Sequence, residues 1–150
     1  MNYEKLLKET ERYEIETYEK PMPPKLKGLY SDNVVLINQN IALTEKTCVL
    51  AEELGHYHTA SGNLLDQNNL SNRKQEKLAR TWAYKKLVPL SKIVQAYEQH
   101  IKNLHEMAEF LGVTEKFLKS ALLRYKEIYG DKCRFKGFMI YFEPLSIKKL

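Results

Sequence analysis

The sequence predicts an α+β fold, a mostly helical single domain with a small β-sheet. Three observations carry this. Long charged stretches place apolar residues at helical spacing, Val34-Val35-Leu36-Ile37 is short and β-branched, and Phe135 to Phe142 is aromatic and β-prone. A chain of 150 residues, 43% hydrophobic and 29% charged, has the composition of one ordinary globular domain, so residues 1–150 are expected to form one.

In chain order, Tyr3 to about Tyr18 has a charged helical pattern, which Pro21, Pro23 and Pro24 terminate. Gly28 to Asn38 reads as a β-hairpin or a pair of adjacent strands, with Ser31-Asp32-Asn33 turn-like between them. Thr44 is a suitable N-cap for a helix from Glu45 to His58, ended by Ser61-Gly62-Asn63. After a polar loop from Asp66 to Asn72, Arg73 to Leu87 spaces Leu78, Ala79, Trp82, Ala83 and Leu87 as a helix does, until Pro89. Further helices are expected at Ser91 to His100, Asn103 to Leu111, and Glu115 to Tyr129 behind a Thr114 cap. Residues 135–143 then supply a strand or hairpin that Pro144 closes, the sheet being the first hairpin with this strand as a possible addition.

Composition excludes several classes. The formal charge is +5, and residues 101–150 carry ten basic against six acidic side chains. Glu106, Glu109, Glu115, Glu127 and Asp131 interleave with those bases, so a solvated mixed face is expected rather than a nucleic-acid stripe. No apolar run approaches the roughly 20 residues of a bilayer span, and Met1 to Glu9 lacks the apolar core of a signal peptide. A cytoplasmic protein is expected. Cys48 and Cys133 are too few and too separated for a disulfide framework or a cysteine-rich zinc site, and are expected as buried thiols.

The chemistry concentrates in Leu50-Ala51-Glu52-Glu53-Leu54-Gly55-His56-Tyr57-His58. Glu52 and His56 stand at i and i+4, one above the other on a helix face, which suits two ligands of one metal ion. Glu53 then lies beside the metal, where a carboxylate takes a proton from water. This is the geometry of the zinc-protease helix H-E-x-x-H, with Glu52 replacing the first histidine. A catalytic zinc needs a third protein ligand and keeps its fourth position open. Glu76, on the next helix, is the leading candidate. Trp82 is expected to pack between helices, and His100 and His105 to be solvated.

In these residues the chain resembles the ImmA/IrrE family of zinc metallopeptidases, found in phages and mobile elements. That family follows its metal helix with an E-x-x-A-N-x-F-A-like helix ending near Leu-Pro. Glu76-Lys77-Leu78-Ala79-Arg80-Thr81-Trp82-Ala83, then Leu87-Val88-Pro89, is similar, with Arg80 for Asn and Trp82 for Phe. The resemblance spans about Lys27 to Tyr129 and takes in Leu104 to Thr114 as the family's later helix pair. It implies that His56 and Glu76 are metal ligands, that Glu53 is the general base, and that Glu52 holds a ligand position as a carboxylate. Carboxylate oxygen binds zinc, and two carboxylates with one imidazole make a harder site that admits Mn²⁺ more readily. His58 and Asp66 are further ligand candidates.

The function implied is a metal-dependent endopeptidase, with zinc or manganese, that cuts a phage-type helix-turn-helix repressor and so relieves repression. The alternative is a metal-free, degenerate peptidase fold acting as a protein-binding regulatory module. A third reading takes Leu104 to Leu122 as a DNA-binding helix-turn-helix, against which Glu115 at the start of the second helix would repel phosphate.

Overall fold

The computed structural model describes residues 1–59 and 69–150, with 69–71 described by backbone alone. These residues fall into two compact units, Met1–Ala83 and Tyr84–Leu150. Ser61, Gly62, Asn63 and Asp66 lie outside the described residues.

In the first unit, α1 (Tyr3–Arg12) is capped by Asn2, whose side chain accepts from the Lys5 N–H at 2.9 Å. The helix is shorter than its charge pattern predicts. Glu14 adopts φ 56, the chain turns so that Ile15 is buried, and Glu16–Lys20 continues as strand β1. This strand carries no apolar alternation because four of its five residues are exposed. Its conformation comes from parallel pairing with β3 (Val34–Asn38), with Glu16 opposite Val34.

The predicted hairpin is present as β2 (Gly28–Ser31) and β3, antiparallel, with Tyr30 opposite Val35. Its two-residue turn, Asp32-Asn33, has φ of 47 and 63, the left-handed pair that matches strand twist. The strand order is β1-β3-β2, so β2 is an edge. Val35 and Ile37 are fully buried on the inner face. Asn38, also buried, donates to the Leu26 carbonyl at 2.9 Å and accepts from the Asn40 N–H at 3.0 Å, tying the proline-rich approach to β2 against β3.

Helix α2 (Leu43–Thr59) begins two residues before the predicted start, which leaves Thr44 inside its first turn. Cys48, Leu50, Ala51 and Leu54 form its buried face. Helix α3 (Asn69–Leu87) begins four residues earlier than the polar composition of its first turn suggests, with Ala79 and Ala83 completely buried.

The second unit holds α4 (Leu90–Glu98), α5 (Leu104–Leu111) and α6 (Glu115–Tyr129). Thr114 caps α6 as predicted, and Asn103, read from the sequence as the first helical residue, is instead the N-cap of α5. Gly112, at φ 74, supplies the left-handed residue between them. After α6 come β4 (Lys132–Phe135), β5 (Phe138–Phe142) and β6 (Leu145–Lys149), an antiparallel sheet in that order. The fold class is the α+β expected, but the strands form two three-stranded sheets rather than one. Pro144 ends β5 as predicted, and the chain then returns as β6. Tyr125, buried, donates its hydroxyl to the Val88 carbonyl at 2.7 Å. Both cysteines are free thiols, Cys48 buried and Cys133 only half-buried, contrary to the expectation for the latter. Among the described residues no helix is long and apolar enough to cross a membrane.

Candidate metal and catalytic site

Helix α2 places Glu52, Glu53 and His56 at the edge of its buried face, each half-buried. Two glycines decide what they meet. Gly55 faces α3, where an added Cβ would collide with the Ala79 backbone, so the two helices touch without an intervening side chain. Gly28 lies at the start of β2, and a Cβ there would stand 2.5 Å from Val49 Cγ1 and 3.4 Å from Glu53 Cγ. The first glycine brings α3 to His56, and the second lets Glu53 pack under the β2 edge. Neither role is legible in sequence, since a close approach leaves no residue pattern beyond the glycine itself.

With the helices this close, His56 Nε2 lies 3.0 Å from Glu76 Oε2. The other carboxylate oxygen of Glu76 receives Arg80 Nε at 3.3 Å, one turn further along α3. Glu53 is poised differently. Burial pushes its carboxyl up from 4.5 to about 7, and the charges of Glu76 and then Glu52 push the same way. A carboxyl titrating near neutrality is suited to accepting and returning a proton.

The metal implied by the resemblance needs converging donors. A tetrahedral zinc with bonds of about 2.0–2.1 Å keeps neighbouring donors about 3.3 Å apart, close to the His56–Glu76 separation. That pair fits two corners of such a site. Among the described residues, no three His, Cys, Asp or Glu side chains gather closely enough to complete it. His58 is placed elsewhere: its ring stacks on Trp82 with centroids 4.5 Å apart, and meets the Tyr13 ring edge-on at 4.7 Å. Trp82 thus packs between helices as expected, with His58 as its partner. Tyr13 also meets Tyr57, and Tyr57 meets Tyr30, an aromatic cluster around the end of α2 that the sequence reading missed. Asp66 is outside the described residues.

A family model for the IrrE N-terminal-like domain, peptidase family M78, matches residues 10–123. The chain belongs to this family. No curated protein gives a significant match. In this IrrE-like domain the match runs from the end of α1 through the first sheet, α2 with Glu52, Glu53 and His56, and α3 with Glu76, then through α4 and α5 into α6. Family membership carries the expectation of a metallopeptidase acting on a protein.

The α5–α6 pair, the basis of the DNA-binding reading, presents a mixed exposed face. His105 stands 3.0 Å from Glu109 and 3.8 Å from Glu115, so acids occupy the start of the second helix and the face before it.

Proposed function

We propose that this IrrE-like domain is a metal-dependent endopeptidase whose substrate is a helix-turn-helix repressor. The observation that carries this reading is the convergence of His56 and Glu76 beside the half-buried Glu53. His56 and Glu76 would hold zinc or manganese, and Glu52, on the same face of α2 as His56, would have to close on that pair to serve as the third ligand. When bound, the ion polarises a peptide carbonyl and makes a water molecule more acidic.

The chain's own residues do the remainder. Glu53 accepts a proton from water at its carboxylate and delivers it to the nitrogen of the leaving amine. Its partial burial under Gly28 limits its hydration and fixes its distance from the β2 edge. Strand β2 is the edge beside Glu53, so an extended substrate segment adding to it runs past that carboxylate. The repressor assignment is supported by the ImmA/IrrE resemblance.

The test is incubation of zinc-loaded protein, and of Glu53→Gln, with a purified helix-turn-helix repressor of the phage type. Cleavage by the wild type alone supports the reading, and equal cleavage by both proteins removes Glu53 from its role.

A second reading, a metal-free protein-binding module, is favoured by one observation. Arg80, where the family has Asn, pairs with the Glu76 carboxylate at 3.3 Å and competes there with a metal ion.

A further inference from the structure

The second unit contains a cavity of about 700 Å³, within the range of small-molecule sites and unrelated to the α2–α3 chemistry. Its floor is apolar: Met107, Leu122 and Phe142 are buried there, and Leu104, Leu145 and Ile147 make the walls from α5 and the β6 side. Hydrogen-bonding capacity is sparse. Asn103 Oδ1 caps α5 by accepting the Glu106 N–H at 2.8 Å, and the other uncharged polar side chains of the lining are Tyr97 and Ser146. Charge is confined to the rim, where Lys102, Lys119 and Glu143 stand.

These three charges are not equivalent. Glu143 is paired with Lys126 at 3.4 Å, so its charge is compensated locally. Lys102 and Lys119 are exposed and have no ion-pair partner among the described residues. An apolar interior under two uncompensated ammonium groups selects an apolar molecule with one anionic end. It disfavours a neutral hydrocarbon, which would leave both cations unused, and a polyanion, whose other charges would find no further cation in the largely apolar interior. The volume matches a small molecule rather than an amphipathic helix, which needs a long groove to seat anchors over several turns.

We propose that this cavity is a binding site for a small amphiphilic carboxylate of the medium-chain fatty-acid class. The alkyl chain lies over Met107, Leu122 and Phe142, and the carboxylate is held between Lys102 and Lys119.

The probes are decanoate and its uncharged counterpart decanol, titrated calorimetrically into the full chain below their aggregation limits. Decanoate should bind more tightly than decanol. Reversing both rim charges, Lys102→Glu with Lys119→Glu, should weaken decanoate by about tenfold and leave decanol nearly unchanged, since only the former has a charge to lose. Leu145→Trp, which fills the wall, should weaken both. The charge variants lie on the exposed rim and keep the test independent of whether Leu145→Trp folds. Absence of decanoate binding to folded wild type overturns the proposal, as does equal loss of both probes in the charge-reversed protein. A wild-type dimer that is converted to monomer by Leu123→Glu, a change at an exposed apolar residue of the cavity lining, without decanoate binding, would instead make this a self-association face and overturn it too.

Discussion

His56 Nε2 and Glu76 Oε2 meet at 3.0 Å, joining two helices where Gly55 lets the Ala79 backbone come into contact. The pair exists because of that contact, and the chemistry argued for the site depends on it.

Gly55→Ala should therefore break the site from a distance. Replacing a helical glycine by alanine ordinarily favours the helix by about 1 kcal/mol. Here the new methyl meets backbone, which cannot rotate away, so overpacking at about 1–3 kcal/mol wins. Thermal unfolding should show a lower midpoint, and metal affinity should fall with it. A raised midpoint with unchanged metal affinity would contradict the close approach.

Glu53 gives a pH signature in the metal-free protein. Its carboxyl is raised from 4.5 to about 7, so the unfolded chain ionises first as pH rises. The associated stability is complete below about 4.5 and is lost up to about 7, a difference of about 3 kcal/mol. Glu53→Gln cannot ionise. Its melting temperature relative to wild type, measured in chelator, should rise between pH 4.5 and 7 and then level off; a constant difference across that range would mean that Glu53 is not desolvated.

Arg80 opposes a cation at Glu76 by occupying Oε1. Arg80→Ala should tighten zinc binding by about two- to fivefold, in keeping with an exposed ion pair. Competition against a chromogenic chelator reads this directly, and weaker binding would show that Arg80 supports the site.

Tyr125→Phe tests the second unit. The lost hydroxyl leaves the buried Val88 carbonyl unpaired at a cost of about 1–3 kcal/mol. Denaturant unfolding should detect that loss, and a neutral effect would mean that the carbonyl finds another donor.

Much of this was legible from the chain. Thr114 announces its helix end because capping is local chemistry, and Asp32-Asn33 announces its turn for the same reason, whereas Asn103 reads as a helical residue and proves to be a cap. Glu52, Glu53, His56 and Glu76 were legible as candidates through their spacing, and the fold brings His56 and Glu76 together. Strand β1 was not, because Glu16 to Lys20 is exposed and owes its conformation to β3, a partner distant in sequence. The aromatic setting of His58 was hidden for a similar reason: Tyr13 and Trp82 come from different helical neighbourhoods and meet only in the fold.

The most direct test of the central claim is bound metal, measured by elemental analysis on protein purified without a metal-binding tag, beside His56→Ala, Glu76→Ala and Glu52→Ala. The account predicts near-stoichiometric zinc or manganese in the wild type, lost with His56 or Glu76 and weakened with Glu52. A folded wild type that takes up no metal even after zinc is added would contradict it and leave a protein-binding module.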